Sequence, residues 1–421
     1  MNRYAESRGF RHPRAARAAL CGALTAAVLL ALSGCPVALP EPPTPLSPED
    51  GAVVLGAAVT LSAELPESAG GEQEVTFWGR AVEAPGEDFT IIALPDTQFY
   101  SESYPETFRA QTQWIIDQRE TLNIAAVLHL GDIVDEADDR AQWQAADEAL
   151  AVLESQPDLP VGLTVGNHDQ HPNGQPAGTQ NFNAFFPVER FADRAWYGGH
   201  FGDDNDNSFV LFSAGGIDFI AVLLEFDRAA NAEVLAWADE VLKAHADRKA
   251  IIVTHFMLAS HLLGSQFSSQ GQAIRDALTD NPNVFLLLGG HFCETGRRSD
   301  NIEGRRVVSI LSDYQCRPNG GDGWLRILHF SPANNTLRVQ TYSPTRDEYL
   351  DGPRHEFALP VDLRQEPEFE LLARLAADPQ ASVEFLWTGL ALDTTYEWFV
   401  SVTAEGVTTQ SPRQRFRTPP G

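Results

Sequence analysis

Five apolar runs in this chain each stop at a residue able to ligate a divalent cation. FTIIALPD stops at Asp96, with Gln98 two residues on, and IAAVLHLGD stops at Asp132, followed by Asp135. PVGLTVGNHD delivers Asn167, His168 and Asp169. KAIIVTH ends at His255, and VFLLLGGH ends at His291 with Cys293 just beyond. Carboxylates, amide oxygens, imidazoles and thiolates are the side chains that hold divalent metals. One His closing an apolar run means little. Five such ends point to a metal centre, because strand ends project side chains into a loop-lined crevice above a rigid base.

The elements needed to carry these residues are legible around them. From about residue 88 to 345, strand-like apolar runs alternate with segments of helical period, the pattern of an α/β domain. One such helix is Asn231 to Ala244, with Val234, Trp237, Val241 and Leu242 on one face. Outside that region only short strands are expected: Val59 to Leu65, Glu74 to Gly79, Ser382 to Trp387, Tyr396 to Ala404 and Arg413 to Thr418. His129 and Trp324 read as core residues. The acidic clusters Asp135 to Asp139 and Asp203 to Asp206 lack EF-hand spacing and, Asp135 apart, read as solvated faces.

The order of the ligand-bearing ends resembles the calcineurin-like metallophosphoesterase family, whose motifs run D-x-H, G-D-x-x-D, G-N-H-[DE], a lone His and G-H-x-H. Here they read Asp96-Thr-Gln98, Gly131-Asp132-Ile-Val-Asp135, Gly166-Asn167-His168-Asp169, His255 and Gly290-His291-Phe-Cys293. The LPDTQ opening, Gly296 to Arg298 and Gly320 to Arg326 look like a bacterial exported branch of it. The resemblance implies two packed mixed sheets flanked by helices and two divalent metal ions of the Fe, Mn or Zn class. It implies that Asp132 bridges the ions, that Asp96, Gln98 and Cys293 serve the first, and that Asn167, His255 and His291 hold the second. A bridging hydroxide would attack a phosphate mono- or diester in line. His168 would protonate the departing oxygen, oriented by Asp135.

Two positions depart from the family pattern. Gln98 stands for a His, and an amide oxygen binds borderline metals less strongly than imidazole. Cys293 stands for the final His; it is a thiolate ligand, a disulfide partner of Cys316 or a free thiol, and its place two residues past His291 favours the ligand. Arg297 and Arg298 follow closely and are candidates to grip a phosphate. The competing function, resting on these departures, is a degenerate relative acting as a surface-binding or adhesion lipoprotein.

Near the C-terminus, Leu390-Ala-Leu392-Asp-Thr394-Thr-Tyr396 resembles the tyrosine corner of a fibronectin type III module. Too few residues remain there for a whole sandwich of roughly 100 residues. The expected layout is therefore a phosphoesterase domain over 88–362, inserted into an all-β fibronectin III-like sandwich split between 43–82 and 366–421. A Pro-rich tether is expected over 35–48.

Charge and leader set the partners. The chain carries 30 Lys+Arg against 58 Asp+Glu, a formal −28, which repels phosphate backbones and excludes a sequence-general nucleic-acid binder. A phosphorylated small molecule or lipid remains compatible as substrate, because bound metal reverses the field locally. Arg3, Arg8, Arg11, Arg14 and Arg17 precede the charge-free stretch Ala18 to Gly34, which reads as a signal peptide over 1–34. Leu32-Ser33-Gly34-Cys35 resembles a bacterial lipobox, so the expected product is an exported lipoprotein, anchored at Cys35 and facing the periplasm or cell exterior. Cys35→Ser should release the protein from the membrane fraction or stall its processing. Mass spectrometry showing an unmodified N-terminus at another residue would refute the anchor.

Overall fold

The structure, a computed structural model, describes residues 41–67, 73–82, 85–259, 265–363, 367–404 and 406–421. The leader 1–34, Cys35 and the start of the tether lie outside the described residues. Two compact units are present, and the larger consists mainly of Arg80–Phe369.

The larger unit contains two seven-stranded mixed sheets. The first is built on β1 (Phe89–Leu94), β2 (Ile124–His129) and β3 (Val161–Leu163), which run parallel. The second centres on β4 (Ile217–Leu224), β5 (Lys249–Thr254), β6 (Val284–Gly289) and β7 (Arg305–Asp313), also mutually parallel. Antiparallel strands complete both sheets, including Leu325–Ser331 beside β1 and Glu294–Ile302 beside β7.

Period-two alternation decides which face each strand buries. Phe219, Ala221 and Leu223 of β4, with Ile251 and Val253 of β5, join Phe89 and Ile91 of β1 in one core. The rings of Phe89 and Phe219 meet at 5.3 Å, so the two sheets face each other there. The alternate residues Ile220, Val222 and Ile252 pack with Val234, Ala238 and Leu242 of α1 (Ala232–Ala244). That helix begins where the sequence places it, with Asn231 accepting from Glu233 N at 2.9 Å as its cap. No helix among the described residues is long and apolar enough to cross a membrane.

The smaller unit joins segments that precede and follow the larger unit in sequence. Ala58–Glu64 lies between Thr44–Ser47 and Ser382–Thr388 in a three-stranded sheet. Gln73–Val82 pairs with Glu370–Ala377 in a six-stranded sheet that also holds Thr395–Ala404 and Gln414–Arg417. Phe77 of the larger sheet meets Phe385 of the smaller at 5.9 Å, and Trp387 meets Phe416 edge-on at 5.9 Å, so these sheets also pack face to face. The Tyr396 hydroxyl accepts from Ala391 N at 2.8 Å and ties a loop to the strand.

Two expectations need correction. The Pro-rich stretch is not a tether as far as residue 48, because Thr44–Ser47 is an edge strand. Pro45 is tolerated there since an edge leaves one row of donors unused, and the register shifts just after it. The 203–206 cluster is not a solvated face throughout. Asp206 is buried, accepting from Thr179 Oγ1 at 2.6 Å and Asn183 Nδ2 at 2.7 Å.

Residues 370–421 supply the partners of Ala58–Glu64 and Gln73–Val82. Their deletion should leave open apolar edges, seen as proteolysis within 44–82 and as aggregation. Unchanged protease resistance of 44–82 would show that the pairing does not hold this segment.

Candidate metal centre

The metal-ligand candidates leave the same ends of the parallel strands. Asp96 and Gln98 follow β1, Asp132 follows β2, and Asn167 and His168 follow β3. From the second sheet, His255 follows β5 and His291 follows β6. Asp96, Asp132 and His291 all adopt positive φ, at 37°, 51° and 77°, a conformation that bulkier surroundings must impose. The glycines before the ligands permit close approach. A Cβ on Gly166 would lie 2.2 Å from Asp132 Oδ1, and one on Gly290 would lie 2.4 Å from Asp96 Oδ2.

His255 is the hub. Its Nδ1 donates to the Leu130 carbonyl at 2.8 Å, which turns Nε2 toward Asp132 Oδ2 at 3.0 Å and Asp96 Oδ1 at 3.8 Å. Asp132, His255 and His291 bring ligand atoms within 4.8 Å of one another. Burial alone would keep His255 neutral, but the Asp132 carboxylate outweighs it and holds the imidazole above its ordinary value. Burial likewise opposes charge on Asp132, yet His255 and then His168 hold it below the usual carboxylate range. Burial, then Asp313, then Asp132 push Asp96 well up. Burial and the charge of His255 bring His291 down to about 3.

The donor set fits divalent cations. Asp96 Oδ2, Gln98 Oε1 and Asn167 Oδ1 are buried without a hydrogen-bond partner. An unpaired buried acceptor is destabilising by about 1–3 kcal/mol, which coordination to a cation removes. Gln98 is oriented for this role, since its Nε2 donates to Asp135 Oδ1 at 2.7 Å and leaves the carbonyl oxygen unpaired. The amide is therefore held by the same carboxylate that lies 3.3 Å from His168 Nδ1. His168 Nδ1 donates to the Asp135 carbonyl at 2.8 Å, and the half-buried ring keeps Nε2 for other work.

Three sequence readings change. Cys293 is bonded to Cys316, so it has no thiolate to offer a metal. Their Cα atoms are 5.8 Å apart, a separation suited to the bridge. Arg298 is committed to Asp300 through Nε–Oδ2 at 2.7 Å and Nη2–Oδ1 at 2.6 Å, and Arg297 stacks 3.8 Å over Phe357. Arg298 is thereby committed, while Arg297 Nη1 donates to the Pro353 carbonyl at 3.1 Å. His129 is a satisfied core residue, 2.9 Å from Thr97 Oγ1, and Trp324 is buried.

Sequence reasoning named Asp169 without giving it a role and passed over Arg228. Asp169 accepts from Ile133 N at 2.8 Å, Val134 N at 3.0 Å and Gly166 N at 2.8 Å, stapling the GDxxD loop to the GNHD loop. Burial, then the charge of Asp132, pushes its carboxyl up to about 7. Arg228 lies just past β4, exposed and without a carboxylate partner among the described residues. Its guanidinium is 5.9 Å from the Phe226 ring, which packs 5.4 Å from His291, and its charge reaches His291. The run ending LLEF before Asp227-Arg228 was the available signal, a sixth strand end carrying charge.

Mixed sheets whose parallel strand ends deliver Asp, Asn, Gln and His to one buried cluster define a metal-binding α/β domain. Residues 89–294 match the family described as calcineurin-like phosphoesterase, and the chain holds such a domain there. It is also 35% identical over 365 residues to the uncharacterized protein YvnB of Bacillus subtilis (strain 168). That similarity covers 79% of this chain but 28% of YvnB, so the chain spans under a third of that relative.

Gly290→Ala tests the closeness of the site. The new Cβ must displace the Asp96 carboxylate, so bound metal measured on purified protein should fall. Unfolding should shift by no more than the roughly 1–3 kcal/mol of a local overpacking. Full metal content in this variant would mean that Asp96 is not a ligand.

Proposed function

We propose that the domain is a metal-dependent phosphoesterase hydrolysing phosphate mono- or diesters. The observation that carries this reading is the set of buried acceptors without hydrogen-bond partners, at Asp96, Gln98 and Asn167, within the region that matches the family. Two divalent cations, when bound, supply charge for a phosphoryl group and acidify a water between them. Asp96, Gln98 and Asp132 would hold one, and Asp132, Asn167, His255 and His291 the other. Asp132 would serve both; its Oδ2 lies 3.0 Å from His255 Nε2 and its Oδ1 accepts from His168 N at 2.9 Å.

The remaining work falls to the protein's own groups. His168 Nε2 gives a proton to the departing oxygen, while Asp135 fixes the ring and supports its charged form. Arg228 meets the non-bridging phosphate oxygens at the rim, a role for which Arg298 is already committed to Asp300. The substrate is a phosphorylated small molecule or lipid. The protein is exported and held to the membrane through Cys35, with the flanking sheets forming a fibronectin III-like module. A second reading, a degenerate surface-binding lipoprotein, is favoured by the Cys293–Cys316 bridge, which removes one family ligand.

Hydrolysis of a generic aryl phosphate mono- or diester with added metal separates the two. Asp132→Asn should lower metal content and turnover together. His168→Ala should keep the metals and lose rate on the order of 10²–10⁴-fold. Equal turnover of wild type and Asp132→Asn would end the enzyme reading.

A further inference from the structure

We propose that Asp313 is a ligand of the first metal ion, in the place left when Cys293 bonds to Cys316. The resulting all-oxygen site prefers a hard cation such as Mn²⁺ to Zn²⁺. This inference rests on the metal-dependent reading above and deepens it.

Placement comes from strand register. β7 runs parallel to β6, with Gly289 opposite Leu311. His291 and Asp313 each stand two residues further on, so they leave neighbouring strands at the same end and level. The disulfide joins Cys293 to Cys316 just beyond, pinning the loop after β6 to the loop after β7. Asp313 is fully buried.

Proximity to the first site comes from the end of β6. The His291 N–H donates to Asp96 Oδ1 at 3.1 Å, and a Cβ on Gly290 would lie 2.4 Å from Asp96 Oδ2. Asp132 and Asp96 both reach the same His255 nitrogen, at 3.0 and 3.8 Å. The strand end beside which Asp313 stands is therefore the one against which Asp96 packs. Among the described residues no Lys or Arg forms an ion pair with Asp96, Asp132 or Asp313, and His255 meets Asp96 and Asp132. Three buried carboxylates around one imidazole are short of positive charge. Asp96 Oδ2, on a side chain only 1% exposed, has no hydrogen-bond partner, which independently points to a cation in the same place.

Orientation is already set. Asp313 Oδ1 accepts from Gln315 N at 2.8 Å and Oδ2 from Gln315 Nε2 at 3.1 Å. These bonds fix the carboxylate plane and leave each oxygen a lone pair for a metal. The donors of the first ion then become Asp96, Gln98, Asp132 and Asp313, oxygen throughout, whereas the second keeps the imidazoles of His255 and His291. Oxygen cages suit Mg²⁺, Ca²⁺ and Mn²⁺, and imidazole suits Zn²⁺ and Fe²⁺. The two sites should therefore differ in metal preference.

The test counts metal and does not depend on turnover. Full-length protein is titrated with Mn²⁺ and followed by electron paramagnetic resonance and elemental analysis. Wild type should bind two ions with a spin-coupled signal. Asp313→Asn, isosteric and uncharged, should retain one, bind the other at least tenfold more weakly and lose the coupling. Asp313→His should recover the second ion and move its preference toward Zn²⁺. Two ions bound by Asp313→Asn with unchanged affinity would overturn the assignment and leave the phosphoesterase reading standing. If Asp313→Asn does not fold, an unchanged Mn²⁺/Zn²⁺ preference in Asp313→His overturns it equally. A wild type that binds neither metal would overturn both readings.

Discussion

The contact between His255 and Asp132 is the constraint around which the larger unit is organised. Burying a carboxylate is unfavourable unless an opposite charge meets it, and here one imidazole must serve several. Its Nε2 stands 3.0 Å from Asp132 and 3.8 Å from Asp96, while Asp169 and Asp313 lie close enough to raise or be raised by their neighbours. Such a cluster is tolerable only where further positive charge can enter. The strain shows in the backbone, where Asp96, Asp132 and His291 take left-handed conformations that an apolar core would not require. Stability has been given up locally to hold acceptors in place, and the apolar interior between the two sheets offsets it.

A second tier of polar groups keeps the acceptors aimed. Asp135 holds both Gln98 and His168, so one carboxylate sets the direction of the amide and of the imidazole. Asp169 does the same for backbone, gathering three N–H groups from two loops. The replacement of His by Gln at 98 becomes intelligible at this level. With its amide nitrogen engaged, the side chain presents oxygen only, consistent with the oxygen-rich surroundings of Asp96.

Much of this arrangement is legible in the sequence because strand ends are. An apolar run that stops at Asp, Asn or His fixes both an element and a ligand candidate, and the runs ending at Asp96, Asp132, His255 and His291 meet in space. The cap at Asn231 and the pairing runs at Ser382 and Tyr396 were equally readable, since each rests on local chemistry. What could not be read depends on pairs. Whether Cys293 faces a metal or Cys316 is decided by two loops meeting at 5.8 Å, which spacing along one loop does not express. Arg297 and Arg298 looked free until Phe357 and Asp300 were placed against them. Asp313 closes a strand whose end matches no family motif, and only its register with β6 sets it beside His291.

The smaller unit joins residues made before the larger unit to residues made after it. Ala58–Glu64 lies against Ser382–Thr388, and Gln73–Val82 against Glu370–Ala377. On an emerging chain the early strands have no partners until the later ones appear, so they must wait while the domain between them is produced. Contacts of such long sequence separation form slowly. Closure of these sheets therefore follows synthesis of the larger unit, and it reports that the intervening domain has been made. A ribosome that stalls anywhere in that domain releases a chain whose early strands stay unpaired and open to proteases.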